Sequence, residues 1–348
     1  MSRRTAKAAS GFTLIELMVA MLLGLIVIGG VTSVFLANQQ VYRANAALGE
    51  VQDGTRMSFE MLAQNIREAG ALGCGSNGQV ANVLPESPLN GGTAWWANWG
   101  DALVGYDANT VPNPALTVGT DKGNQKAGTD SLMILSTEDV GLSVKKQDPT
   151  ALTFTLNGTS NDLAANKVMI VCDPWEAAIF HASSYEPGAN PIIGYATTTG
   201  TGTANVPGSL RPYGTVGGGL SPTYAAHSSI GMLSAGVWYI GYNPTSTTAN
   251  PSTSLYLASV DTTTDKVTDE EMVRGVTDMN ITYNMANSPT FVKAASVNDF
   301  ARVVAVQVNL TVQQNSTANA GVTANAGTGT APIKRTYTVT ATVRNRVN

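Results

Sequence analysis

Charge is what this sequence has least of: Asp, Glu, Lys and Arg make up 13% of its 348 residues. A disordered tail needs more charge and less apolar content than this. The net charge is −4 and the pI near 5.2, so the chain lacks the basic excess of a protein that holds nucleic acid by overall electrostatics. Histidine occurs twice, as His181 and His227, and cysteine twice, as Cys74 and Cys172. Their spacing gives no CxxC redox pair and no zinc-ligand pattern. HExxH, GxSxG and P-loop motifs are also missing. No metal, no cofactor and no enzymatic activity are therefore expected. A Cys172–His181 nucleophile pair is formally possible, but Cys74 offers Cys172 a disulfide partner. In an exported chain one Cys74–Cys172 disulfide is the natural reading, two separate buried thiols being the alternative.

Apolar residues are abundant and concentrated. The stretch 11-GFTLIELMVAMLLGLIVIGG-30 opens a run from Phe12 to about Ala37 in which Glu16 is the single charge. As a helix it spans roughly 39 Å, enough for a hydrocarbon layer of ~30 Å. Arg3, Arg4 and Lys7 precede it with no acid among them. A secretory signal would carry a shorter apolar core and a small-residue cleavage site, and 37-ANQQVYR-43 is a poor one. A plain membrane anchor fits better. The positive-inside rule then keeps the leader in the cytoplasm and puts residues beyond about 37 outside. That reading leaves Glu16 unexplained.

Helical periodicity continues past the apolar run. Val41, Ala44, Leu48, Val51, Thr55, Phe59, Leu62, Ile66 and Ala69 recur at steps of three and four. One helix is expected from Phe12 to about Ala69, roughly 90 Å if straight, ending at Gly70 or Gly73. Gly24, Gly29 and Gly30 each cost such a helix about 1 kcal/mol relative to Ala. They favour close helix approach or a kink.

After Gly73 short apolar or alternating runs lie between Gly-, Pro-, Asn- and Thr-rich stretches, a β signature. Strands are expected near 131–137, 152–157, 167–172, 178–182, 237–242, 254–260 and 279–285. Two further runs, 302–313 and 335–345, alternate strictly and are expected to pair antiparallel across the low-complexity loop 314–332. The stretch 197–220 reads as an insertion into one sheet domain rather than a divider between two β lobes. The fold class is α+β: a long N-terminal helix on a mainly antiparallel sheet. His181 is expected to be half-buried in a strand. The acidic run 261-DTTTDKVTDEE-271 reads as a solvated hairpin turn, since Asp261, Asp265 and Asp269 lack the EF-hand spacing; a weak calcium site is the alternative. Lys334, Arg335, Arg344 and Arg346 read as a solvated strand end rather than a nucleic-acid stripe. Trp95, Trp96 and Trp99 read as packing aromatics or, alternatively, as an exposed interface patch.

G-F-T-L-I-E behind a short basic leader ending in Gly11 resembles the class III signal of type IV prepilins. The resemblance implies that a prepilin peptidase cuts between Gly11 and Phe12 on the cytoplasmic side and methylates Phe12. It also implies that the apolar segment is retained. Glu16 falls at the fifth mature position, where that family keeps its assembly glutamate. Cleavage leaves a cationic amine on Phe12. In a water-poor filament core an isolated carboxylate is costly, whereas an amine and a carboxylate that pair across subunits neutralise one another. Snorkelling of Glu16 to the headgroups is the bland alternative.

The segments 61-MLAQNIREAGALGCG-75, 129-TDSLMILST-137, 167-KVMIVCDPWEAAIFHAS-183, 271-EMVRGVTDMNITYNM-285 and 342-TVRNR-346 resemble the PilW family of minor pilins. That family implies a pilin-like α/β roll divided into a leader, 1–11, a membrane and assembly helix, 12–37, its amphipathic half, 38–71, and a globular domain, 72–348. It implies a minor subunit at or near the pilus tip, priming assembly with other minor pilins, the major pilin and a tip adhesin on an inner-membrane platform. Before assembly the chain would cross the inner membrane once with its C-terminal domain periplasmic; afterwards it would be extracellular, in the pilus. Twitching, adhesion or DNA uptake would follow. A type II secretion pseudopilin shares the N-terminal features, and a ligand-binding tip adhesin is the other competing reading. The Gly/Thr insertion and 95-WWANWG-100 depart from the family pattern.

Overall fold

Leu14–Glu68 forms a single α-helix, α1, in a computed structural model that describes residues 13–74, 79–108, 110, 112, 116–197, 205–206, 210, 223–247, 251–314 and 333–346. The chain divides into two compact units, one holding α1 up to Glu50, the other running from Val51 to Asn315 and taking in Lys334–Asn348. In the first unit the apolar side chains of α1 are exposed, Leu14 and Leu25 at 78% and 75%. An 18-residue window there has mean hydropathy 2.6, long and apolar enough to cross a membrane. Helical hydrogen bonding runs through Gly24, Gly29 and Gly30 unbroken, and a Cβ added at any of them would meet no atom within 4 Å. The kink expected as one option is not seen.

In the second unit α1 buries one stripe. Val51, Thr55, Ser58, Leu62, Ile66 and Ala69 are all buried, at steps of three and four. Two of these are hydroxyl residues in an apolar setting. They are tolerated because each donates to the carbonyl four residues back, Thr55 Oγ1 to Val51 at 2.6 Å and Ser58 Oγ to Gly54 at 2.8 Å. Arg56 pairs with Glu60 on the wet side, at 2.8 Å. The stripe starts later than its sequence periodicity implies, since Val41 is exposed. Gly70 stops the helix with a left-handed φ of 68°, which a Cβ would penalise.

The larger sheet has eleven strands. They are β1 (Gln79–Asn82), β2 (Leu103–Tyr106), β3 (Ser131–Asp148), β4 (Thr153–Leu156), β5 (Val168–Cys172), β6 (Glu176–His181), β7 (Ser184–Glu186), β8 (Ile192–Gly194), β9 (Ser229–Tyr242), β10 (Thr253–Asp261) and β11 (Lys266–Arg274). Their order is β1-β6-β5-β9-β3-β4-β8-β7, with β2 added to β3 and the β10–β11 hairpin added to β9. β1–β6 is parallel; the other pairings are antiparallel. β9 lies between β5 and β3, so strands on both sides of the 197–220 stretch share one sheet, as an insertion requires. Most of that stretch, and 315–332, lies outside the described residues.

A second sheet of four antiparallel strands follows: β12 (Val276–Met285), β13 (Phe291–Val292), β14 (Val303–Gln313) and β15 (Lys334–Thr342), ordered β13-β12-β14-β15. The single sheet expected from sequence is thus corrected to two. β14 and β15 pair in the anticipated antiparallel way, with Val306 opposite Ala341, Val308 opposite Val339 and Leu310 opposite Tyr337. Met279, Ile281, Val306, Val308 and Leu310 turn inward and pack with Val51, Leu62 and Ile66 of α1, while Thr336, Thr338, Thr340 and Thr342 face out. Each fully buried Leu, Ile or Val here contributes about 1.5–3 kcal/mol. Gly105 of β2 lies under the Tyr283 ring of β12, where an added Cβ would overlap the Tyr283 hydroxyl.

Cys74 and Cys172 form a disulfide with a Cα–Cα distance of 6.0 Å, tying the segment after α1 to the end of β5 across a sequence separation of 98. Closing a loop of that size removes unfolded-state entropy. We expect the double Cys74→Ser, Cys172→Ser variant to lose about 2–5 kcal/mol in urea unfolding. Wild type in strong reductant should show the same shift.

Candidate functional site

The chemistry-bearing N-terminus begins at Thr13. Thr13 precedes the first helical residue, and its Oγ1 accepts from the Glu16 backbone N–H at 3.3 Å. Its hydroxyl also stands 3.5 Å from Glu16 Oε2 as donor. Thr-Leu-Ile-Glu therefore works as one half of a capping box, with the acid in the first turn where the helix dipole favours it. Glu16 thus has a local partner as well as a proposed distant one. Gly11 and Phe12 lie outside the described residues.

The tryptophans divide. Trp96 is 2% exposed, and its Nε1 donates to Asp265 Oδ1 at 2.7 Å, pinning its turn to the β10–β11 hairpin. That corrects the exposed-patch alternative for Trp96, which is an anchor. Trp95 and Trp99 are half-buried against the same apolar cluster. The exposed tryptophan is Trp175, at 82%, in the turn between β5 and β6. Asp173 fixes that turn by accepting from the Trp175 and Glu176 N–H groups at 2.7 and 2.9 Å. Rigid exposed tryptophan is the kind of side chain that dominates interface energetics. Sequence reasoning passed over it. The signal was Asp173-Pro174 directly after the apolar run of β5, a turn pair that puts the next residue at the hairpin tip.

The remaining candidates are structural. Asp261 accepts from Lys167 at 3.2 Å and from the Thr263 N–H at 2.9 Å, Asp265 holds Trp96, and Asp269 lies on β11. Asp261 and Asp265 thus have different partners, and the turn itself is shorter than the acidic run because residues from Lys266 onward are strand. Among the described residues no cluster of His, Cys, Asp and Glu could hold a metal. Cys172 is spent in the disulfide, so it cannot serve as a nucleophile. His181 is fully buried rather than half-buried. Its Nε2 lies 3.0 Å from Glu86 Oε2 and its Nδ1 lies 3.2 Å from the Asn166 carbonyl. Both ring nitrogens face oxygen atoms of the protein. Burial pushes the Glu86 carboxyl up, but the hydrogen bond and charge of His181 outweigh it and hold Glu86 below its ordinary value. His227 is exposed in a turn with φ 74°.

Asp130, 3% exposed, accepts from the Ile281 N–H at 2.7 Å, the Ala108 N–H at 3.1 Å and Lys293 Nζ at 2.7 Å, joining the start of β3 to β12. The basic C-terminal cluster also divides. Lys334, Arg335 and Arg344 are exposed, whereas Arg346 donates to the carbonyls of Phe300 and Val303. Burial lowers the Arg346 pKa against the opposing pull of Asp101 and Asp299. The solvated-cluster expectation is corrected for that residue.

Two family models match the chain. The family described as Type IV Pilus-assembly protein W matches residues 237–345, from the second half of β9 through β15. The Prokaryotic N-terminal methylation motif matches residues 6–32, which contain Gly11, Phe12 and Glu16. No curated protein and no solved structure matches.

The Glu86–His181 pair sets a pH dependence. A carboxyl whose folded pKa lies below its unfolded value contributes stability that is fully present above the unfolded value, here 4.5, and lost as pH falls through the folded one. Between about pH 5.5 and 3 the wild-type urea midpoint should therefore fall more steeply than that of Glu86→Gln, which keeps an acceptor for His181 but cannot titrate. Parallel slopes would remove this assignment.

Proposed function

This chain is a type IV pilin of the PilW family, and on that premise we propose that it is a minor subunit that primes pilus assembly and stays at or near the tip. The observation carrying the reading is the pairing, in one chain, of a methylation motif at 6–32 with a pilus-assembly match at 237–345. The prepilin peptidase cuts between Gly11 and Phe12 and methylates Phe12. Before assembly the apolar half of α1 lies in the inner membrane and the β domain faces the periplasm. The Cys74–Cys172 disulfide suits such an oxidising compartment.

Incorporation then depends on the N-terminal charges. In lipid Glu16 leans on the Thr13 hydroxyl, a weak contact at 3.5 Å. In the filament the Phe12 amine of a neighbouring subunit replaces it with an ion pair strengthened by the low dielectric. The bare backbone faces at Gly24, Gly29 and Gly30 favour close approach of neighbouring helices. The bulk of the β domain, with its eleven-stranded and four-stranded sheets, suits a cap better than a subunit repeated along a thin fibre. Other minor pilins, the major pilin, a tip adhesin and the assembly platform are the partners, and motility, adhesion or DNA uptake the downstream roles. A type II secretion pseudopilin is the less favoured reading, because the C-terminal part of the domain, residues 237–345, matches a pilus-assembly family.

Glu16→Ala tests the assembly step. Leader cleavage should be normal by N-terminal mass analysis, while surface pili in a strain carrying only this variant should fall at least tenfold. Full piliation would contradict the intersubunit role given to Glu16.

A further inference from the structure

A cleft of about 240 Å³ opens beside β2 and β3, lined among others by Thr93, Trp95, Asn98, Asp101, Tyr106 and Met133. We propose that it binds one ring of a neutral sugar, with Trp95 and Tyr106 as the apolar walls and Asn98 and Asp101 as the hydroxyl acceptors. The inference stands on the cleft and does not depend on the pilus reading.

The walls are built and held. Trp95 packs on two apolar clusters, one of which also contains Met133, Tyr106, Tyr239 and Tyr256. The adjoining Trp96 fixes the same turn through Asp265 at 2.7 Å. The polar side is equally fixed: Asn98 Nδ2 donates to Asp101 Oδ2 at 2.9 Å, and the Asp101 N–H donates to the Asn98 carbonyl at 3.1 Å. Bonded to each other in this way, the amide and carboxylate keep further lone pairs for a ligand, so the site is rich in acceptors.

The chemistry of the lining selects the class. None of its residues is Lys, Arg or His, and its one ionisable acid is Asp101, so a phosphate, sulfate or acidic sugar would be repelled. Arg346, which interacts with Asp101, is committed to the carbonyls of Phe300 and Val303 and does not line the cleft. A wholly apolar ligand would strip water from Asp101 and Asn98 without replacing their bonds. A ligand with apolar faces and a rim of hydroxyl donors satisfies both kinds of wall, and a pyranose has that shape. The volume is below the ~300–1,000 Å³ of sites for larger ligands, which limits the fit to one ring. Aromatic faces beside a carboxylate also suit a quaternary ammonium, and that class serves as the competing outcome.

The test uses the mature full-length chain in lipid nanodiscs. The methyl glycosides of glucose, galactose and N-acetylglucosamine, tetramethylammonium, and inorganic sulfate are titrated by saturation-transfer NMR and tryptophan fluorescence. At least one glycoside should saturate with a Kd on the order of 1 mM. Asp101→Ala and Tyr106→Ala should each weaken it at least tenfold, with the Cys74–Cys172 disulfide and far-UV circular dichroism unchanged. Trp175→Ala, outside the cleft, should leave it as in wild type. Should either cleft variant fail to fold, Thr93→Ala is read in its place. Absence of saturation by every glycoside, tighter binding of tetramethylammonium or sulfate, or binding that survives the cleft variants would overturn the proposal.

Discussion

The apolar stripe from Val51 to Ala69 has to be covered, and the way it is covered organises the domain. The four-stranded sheet supplies the cover, because β12, β14 and β15 alternate so regularly that one whole face is apolar. Without α1 that face would stand in water, and without the sheet the stripe would. Neither element is a stable unit alone, in keeping with the rule that an amphipathic helix owes most of its stability to tertiary packing. The larger sheet joins the same core through Leu103, Leu132, Ile134, Trp238, Ile240 and Leu255. Gly105 lets β2 approach Tyr283 where the two sheets meet.

Several polar groups inside apolar surroundings are satisfied in different ways. Thr55 and Ser58 return their hydroxyl protons to the helix itself. Asp130 gathers two backbone N–H groups and a lysine. His181 and Glu86 satisfy one another at 3.0 Å. Glu16, by contrast, is exposed on the apolar half of α1, its carboxylate 3.5 Å from the Thr13 hydroxyl. On the proposed reading, a carboxylate in a membrane-length apolar run is the group that pairs with the amine of a neighbouring subunit.

Legibility followed periodicity. α1, β14 and β15 each carry a long, unambiguous repeat, and their expected bounds lie within about two residues of Leu14–Glu68, Val303–Gln313 and Lys334–Thr342, save the C-terminal end of β15, which closes three residues early. β1, β2, β7, β8 and β13 have four residues or fewer and carry no clear alternation, whereas β4, equally short, is marked by the alternating 152-LTFTLN-157. β11 is hidden for another reason. Its sequence KVTDEEMVR is acidic because it pairs only with β10, and an edge strand is kept soluble by charge. The long extension of β3 beyond Thr137 is polar and crosses a register shift near Gly141, so it reads as loop. At the site level the disulfide was legible from cysteine count alone. The burial of Trp96 and His181 and the partial burial of Arg346 were not, because each depends on a partner far away in sequence: Asp265, Glu86 and Phe300.

On the proposed reading, a processed and retained helix carries a bulky β domain into a fibre as a minor component. Quantitative mass spectrometry of sheared, purified pili tests this most directly. The account predicts an N-terminal peptide beginning at methylated Phe12, present at a small fraction of the major subunit and absent from pili of a deletion strain complemented with Glu16→Ala. Absence of the chain from pili, an uncut leader, or an abundance matching the major subunit would contradict it.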